Sequence, residues 1–190
     1  MISTPEFQSF TKIARLNREC AITEKIDGTN GQILITEDNQ LFVGSRNKWL
    51  FGPDGMTGPD NHGFAQWVVS HKDELIAGLG IGCHFGEWWG QAIGRKYGLT
   101  EKRFSLFNTS IWADDAVRPK CCHVVPVLYK GLFNTGAVQG ALLQLSQKGS
   151  VAAPGFMKPE GVVVYHAAAS LYFKVTVEGD EKPKGMQNEV

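Results

Sequence analysis

Five charged residues stand where a chain usually avoids charge, at the ends of apolar strands or inside them. Lys25 ends the run "CAITEK", Arg46 ends "FVGSR", Glu87 lies between a strand and two tryptophans, Glu160 opens "GVVV", and Lys174 sits inside "YFKV". A carboxylate or lysine in an apolar strand costs free energy unless it is paired or used. Singly, each reads as an edge charge or a surface ion pair. Several of them converging on one sheet face would build a charged pocket, where the acidity of each group is set by its neighbours and acid–base or nucleophilic work becomes feasible.

The densest stretch is "TEKIDGTNG", residues 23 to 31, which sets Glu24, Lys25 and Asp27 beside Gly28 and Gly31. Asp-Gly is a strong turn dipeptide, because glycine reaches positive φ at no steric cost. With strand formers before and after it, the stretch reads as a hairpin turn carrying solvated charges. Nothing in these nine residues alone separates that reading from a chemical one.

The elements that must position these groups are short strands. Residues 20 to 46 read as a meander of "CAITEK", "GQILIT" and "LFVGSR". Residues 47 to 63 are dense in Gly, Pro, Asp and Asn and read as loop. Phe64, Trp67, Val68, His71 and Leu75 recur at helical spacing, with Asp60 or Asn61 as cap and Gly78 and Gly80 at the end. "IGCHFGEWWG" reads as a buried strand, "QAIGRKYG" as a turn, and "RFSLFNTSIW" and "CCHVVPVLYKG" as strands. A second helix spans Thr135 to Gly149, capped by Thr135, with Val138, Ala141, Leu142 and Leu145 on one face. "GVVVYH" and "LYFKVTV" complete the strands, and the tail "EGDEKPKGMQNEV" reads as loose. The class is α+β, with mainly antiparallel sheets flanked by helices.

Composition narrows the function. The 190 residues suit one domain, and the formal net charge of zero counts against a protein that coats nucleic acid by bulk charge. Basic residues gather locally near 95–103 and 174–184. No apolar run could span a bilayer, and "MISTPEFQSFTK" lacks the apolar core of a signal peptide, so a soluble, cytoplasmic protein without membrane contact is expected. Cys20, Cys83, Cys121 and Cys122 form no C-x-x-C pair and read as buried, reduced thiols. The phosphate-binding G-x-x-x-x-G-K-[ST] loop, the G-x-S-x-G elbow and H-E-x-x-H are absent.

Order and spacing add a resemblance. "EKIDGTN", "SRN", "FGEWWG", "FSLFN", "EGVVV" and "FKV" follow one another in that sequence. The chain resembles the covalent nucleotidyltransferase superfamily of ATP-dependent ligases and capping enzymes, whose lysine motif is K-x-D-G. Asn30 is similar to the RNA ligase branch, above all phage double-strand RNA ligases and RNA-editing ligases. The resemblance covers roughly residues 20 to 176. It implies an ATP-grasp-like adenylation domain over residues 1–177, with 178–190 as tail.

It also implies a chemistry. Lysine attacks the α-phosphate of ATP, AMP passes from lysine to an RNA 5′-phosphate, and a 3′-hydroxyl displaces AMP. The attacking amine must be neutral, whereas free lysine has a pKa of about 10.4; desolvation, nearby cations and a bound Mg2+ or Mn2+ favour the neutral form. By resemblance Lys25 is the nucleophile, and Glu24 reads the adenine edge. Asp27 holds the turn or meets the metal through water. Asn30 and Arg46 contact ribose and phosphate, Glu87 bonds a ribose hydroxyl, and Phe107 stacks on adenine. Glu160 is the carboxylate at the metal, and Lys174 grips the α-phosphate.

The sequence departs from the family at Thr176, where a second lysine is common, leaving Lys182 or Lys184 as substitutes, and at Asn108, where aspartate is common. Many relatives add a C-terminal domain that engages RNA, so the resemblance implies self-adenylylation whether or not this chain joins ends. The chain is expected to be a monomer acting on RNA with 5′-phosphate and 3′-hydroxyl ends. A DNA ligase or an adenylyltransferase core without end joining is the neighbouring reading, and a non-catalytic nucleotide- or RNA-binding module the distant one.

Overall fold

The computed structural model describes residues 6–178. Most of the expected tail, with Lys182 and Lys184, lies outside the described residues. In chain order the elements are β1 (Glu19–Lys25), β2 (Thr29–Ile35), β3 (Leu41–Gly44), β4 (Trp49–Gly52), β5 (Gly55–Met56), α1 (Phe64–Ser70) and α2 (Lys72–Leu79). There follow β6 (Gly82–Gly90), β7 (Lys102–Leu106), α3 (Thr109–Trp112), β8 (Cys122–Val124), β9 (Val127–Leu132), α4 (Thr135–Lys148), β10 (Gly161–His166) and β11 (Leu171–Thr176). Among the described residues no helix is long and apolar enough to cross a membrane.

The strands form a small sheet ordered β11-β10-β1-β9 and a large sheet ordered β5-β4-β3-β2-β6-β7-β8. Every pairing is antiparallel except β7 with β8, which is parallel. The expected meander over residues 20 to 46 breaks here. β1 and β2 do not pair; β1 lies between β10 and β9, while β2 lies between β3 and β6. "KIDG" is therefore a crossover between two sheets rather than a hairpin turn. The single strand expected at "CCHVVPVLYKG" breaks in the same way. β8 ends in the large sheet and β9 begins in the small one, with Pro126, which has no N–H to donate, at the crossing.

Each sheet buries one face. Ile33, Val43, Leu50, Phe104 and Leu106 of the large sheet pack with Phe64, Val68 and Leu75 of α1 and α2. Cys20, Ile22, Val162 and Val164 of the small sheet pack with Ala141 and Leu145 of α4. A third cluster, Ile26, Trp89, Tyr97, Val125 and Ala153, fills the place where both crossovers pass. The strand period of two sends alternate residues to the opposite faces, so Thr23 and Lys25 leave the α4 side, and Asn30 and Glu87 leave the α1–α2 side.

Other departures have local causes. Residues 47 to 63 are not all loop, because Phe51 pairs with Met56 in a small β4–β5 hairpin. The expected single helix divides at His71, whose backbone (φ −111°, ψ 17°) leaves the helical region. Asp60 does cap its start, accepting the N–H groups of Ala65 at 2.8 Å and Gln66 at 3.1 Å. Asn134 rather than Thr135 caps α4, accepting the Ala137 N–H at 2.7 Å. The strand expected through Trp112 stops at Leu106, since Asn108 accepts the Ser110 N–H at 3.2 Å and starts α3. All four cysteines are free, but Cys83 is exposed and Cys121 half-buried, and only Cys20 and Cys122 are buried as expected.

Candidate active site

Lys25 is the last residue of β1 and lies opposite Gly161, the first of β10. Glu160 immediately precedes that glycine, and its Oε1 lies 2.5 Å from Lys25 Nζ. The other oxygen, Oε2, is buried and accepts no hydrogen bond. Thr176 lies opposite Gly161 on the far side, and Lys174 lies opposite Val163, which faces Thr23. Cross-strand partners share a face, so Lys25, Thr176 and Lys174 all rise from the same side of the small sheet. Lys174 stands two strands from Lys25 and one two-residue step along, about 12 Å by strand spacing and rise.

Both neighbours of this lysine in the motif are clamped. Glu24 points to the opposite face and is only 1% exposed. Its carboxylate accepts Ser150 Oγ at 2.5 Å and the backbone N–H groups of Val151 at 2.8 Å and Ala152 at 2.9 Å. The solvated hairpin charge is thus a buried, fully engaged carboxylate. On the other side the Asp27 N–H donates to Tyr97 Oη at 2.8 Å, and the Asp27 carboxylate lies 3.6 Å from Arg95 Nε. Tyr97 is buried, and its φ of 50° is one that bulky residues rarely adopt. Burial raises its hydroxyl above the usual range, so it remains a neutral phenol. The two clamps touch: the rings of Tyr97 and Phe156 are 4.7 Å apart, and the Phe156 carbonyl accepts the Ser150 N–H at 2.8 Å.

Gly28 is required here for space rather than for a left-handed turn. A Cβ on it would stand 2.5 Å from the Trp88 carbonyl oxygen and 2.7 Å from Trp89 Cβ. The close approach lets the Gly28 N–H reach Glu87 Oε1 at 3.0 Å. Burial pushes the Glu87 carboxyl up to about 7, with the charges of Glu160 and Asp27 adding to the rise, while Lys25 and the Gly28 N–H oppose it.

Glu87 faces Asn30 directly across β2 and β6. Arg46 lies in the turn after β3, two residues beyond Gly44, the partner of Gln32, and so near the Asn30 end of β2. Phe107 continues the β7 pairing, its N–H bonded to the Phe85 carbonyl at 2.9 Å. Its ring packs at the edge of the Ile26–Trp89–Tyr97 cluster. The crossover thus joins two rows, Lys25–Glu160 with Lys174 on the small sheet and Asn30–Glu87 with Arg46 and Phe107 on the large one. Tyr97, Arg95 and Ser150 were not legible as site residues. Only the glycine-framed turn "GRKYG" marked the first two.

A model of the RNA ligase family matches residues 18–176. No curated protein matches the chain in sequence. Among solved structures, a variant of the Naegleria gruberi RNA ligase with ATP and Mn superposes with a TM-score of 0.60 at 18% identity, over 85% of this chain and 50% of that one. Another with AMP and Mn gives 0.62 at 18% identity, over 92% and 57%, and that ligase with PPi gives 0.55 at 18% identity, over 92% and 57%. The chain thus spans little more than half the length of these proteins, and at this identity the likeness is one of fold.

Two outcomes follow from the clamps. Tyr97→Phe removes the acceptor of the Asp27 N–H and leaves that donor unpaired, a loss of about 1–3 kcal/mol. Urea denaturation should show it, and amide exchange in the peptide spanning 24–28 should quicken. Unchanged exchange would mean that the phenol does not hold the loop. For Glu87, the folded state binds the proton more tightly than the unfolded chain. The stability this gives is complete below the ordinary value of 4.5 and is lost as pH rises through about 7. Glu87→Gln keeps an acceptor for Gly28 but cannot ionise. Wild type should lose stability across that window while the variant does not, and parallel curves would exclude the raised carboxyl.

Proposed function

Because the chain belongs to the RNA ligase family, we propose that it is an ATP-dependent RNA ligase working through a covalent Lys25–AMP intermediate. The observation that carries this reading is the Lys25–Glu160 contact of 2.5 Å at the sheet crossover, with both flanking residues immobilised. Spacing supports it. Solved variants of the Naegleria ligase replace a lysine and an aspartate two positions apart, and a glutamate and a lysine fourteen positions apart. Lys25 and Asp27, and Glu160 and Lys174, stand at those same separations.

In the first step Lys25 Nζ attacks the α-phosphorus of ATP. The N–P bond forms as the bond to the bridging oxygen breaks, and pyrophosphate leaves with that electron pair. Glu160 Oε1 is the nearest base to accept the ammonium proton. Lys174 neutralises charge developing on the α-phosphate, as a fixed cation does best in a site that excludes water. Asn30, Glu87 and Arg46 hold the ribose and phosphates, the arginine through its forked donors, and Phe107 offers a ring to the base. Glu87, protonated for much of the time near neutral pH, can donate to a hydroxyl as well as accept. Glu24 shapes the adenine end through the backbone it anchors, since its carboxylate is already engaged.

A divalent cation fits this donor set. Glu160 Oε2 is a buried oxygen without a partner, and Asp27 stands near the same opening with its carboxylate against Arg95. Among the described residues no three His, Cys, Asp or Glu form an all-protein cage, which suits Mg2+ or Mn2+ sharing few carboxylates with phosphates and water. When bound, the cation supplies positive charge at the α-phosphate.

Passing AMP to an RNA 5′-phosphate and sealing with a 3′-hydroxyl completes the reaction. The chain's span of 50% to 57% of its structural relatives favours a second reading, an adenylylation domain that charges itself and needs further protein to join ends. Intact mass after incubation with ATP and Mg2+ tests the common step. An AMP-sized gain should appear with ATP, vanish in Lys25→Ala at unchanged melting temperature, and reverse with pyrophosphate. Labelling that survives Lys25→Ala would reject Lys25 as nucleophile.

A further inference from the structure

The open face of the large sheet extends past the residues assigned to ATP, sharing Arg46 with them. Gln32 faces Gly44 on one side and Phe85 on the other, and Gly44 pairs with Trp49. A row therefore runs Trp49, Gly44, Gln32, Phe85 across the sheet, beside the row that holds Asn30 and Glu87. The aromatic side chains lie down on this face. A Cβ on Gly44 would stand 3.2 Å from the Trp49 ring, and one on Gly52 would stand 3.3 Å from the Phe42 ring. Phe42 and Trp49 in turn have ring centroids 5.7 Å apart. Glycine weakens a strand and marks close approach; at Gly44 and Gly52 it makes room for flat rings. Those rings are not core, since Trp49 is 42% exposed and Phe85 53% exposed.

The rim is cationic. The turn after β3 lines a basin with Ser45, Arg46, Asn47 and Lys48 beside Gln32 and Trp49. Neither Arg46 nor Lys48 takes part in the ion pairs among the described residues. Exposed rings bordered by available cations match single-stranded nucleic acid, whose bases stack and whose phosphates need positive charge.

We propose that single-stranded RNA adjoining the end to be joined lies across this face, with bases stacked on Trp49 and Phe85 and a phosphate at Lys48. Arg46 stands where this track meets the Asn30–Glu87 row, so the strand's 5′-phosphate would arrive beside the adenylylated lysine. The identity of the nucleic acid rests on the ligase reading; the platform itself does not.

Fluorescence anisotropy with a 5′-phosphorylated single-stranded RNA tests this, alongside AMP uptake from ATP and melting temperature for each variant. Trp49→Ala should weaken RNA binding about tenfold, and Trp49→Phe, which keeps a ring and guards against misfolding, should restore most of it. Lys48→Gln should lower the slope of log K against log salt by about 0.7, as loss of one phosphate contact to a single strand requires. Wild-type affinity in Trp49→Ala, or no RNA binding by the wild type, would overturn the proposal. So would an equal loss of AMP uptake and RNA affinity, which would place the platform in the nucleotide site. If the wild type takes up no AMP yet Trp49→Ala still weakens RNA binding, the platform stands and the adenylylation reading falls.

Discussion

The site depends on one constraint: a chain leaving one sheet for another must be held by something other than a ladder partner. Between Lys25 and Thr29 the backbone has left β10 and not yet reached β6. Three contacts replace the missing ladder. The buried Glu24 carboxylate is tied to residues 150–152, the Asp27 N–H to Tyr97, and the Gly28 N–H to Glu87. Two of them hold backbone N–H groups of the crossover and the third anchors its entry through the Glu24 carboxylate, so the lysine between them inherits a fixed origin for its flexible stem. Burying a carboxylate is costly, and its three donors are what make Glu24 tolerable there.

Much of the candidate site was legible because it is carried by residue type and order. Lys25, Glu87, Glu160 and Lys174 stood out as charges in apolar strands, and the structure sets them at the crossover and the two sheet faces beside it. The strands at "CAITEK" and "GVVVYH" and the helical spacing of Leu142 and Leu145 were equally visible. What failed was partnership. An Asp-Gly pair between two strand-like runs looks the same whether the strands pair with each other or join different sheets. Only the second arrangement is present, and the reason is spatial: Gly28 fits against Trp88 and Trp89 of β6, which no local rule anticipates.

The smaller misreadings share that cause. Thr135 and Asn134 are both good caps, and a single side-chain bond to Ala137 decides between them. "CCHVVPVLYKG" is strand-forming on both sides of Pro126, yet the Glu24 N–H is paired to the Pro126 carbonyl at 2.9 Å, and the chain changes sheets there. Tyr97 was invisible because its contribution is one phenolic oxygen held in place by an unusual backbone conformation. Local sequence thus reports which groups are present and which face they occupy, while long-range fit decides where a strand goes next.

The placement of β1 has a consequence for how the protein comes into being. Strand β1, which ends at Lys25, is made before both of its partners, β9 and β10, which begin at Val127 and Gly161. The large sheet, by contrast, can assemble from residues 29 to 124 alone. Sheets that close such long loops form slowly, because the chain entropy is lost before the contacts are gained. A ribosome-bound chain would therefore hold a nearly finished scaffold while Lys25 still trails as an unpaired strand. Lys25 meets Glu160 only once β10 can pair with β1, so the candidate site closes later than the scaffold beside it.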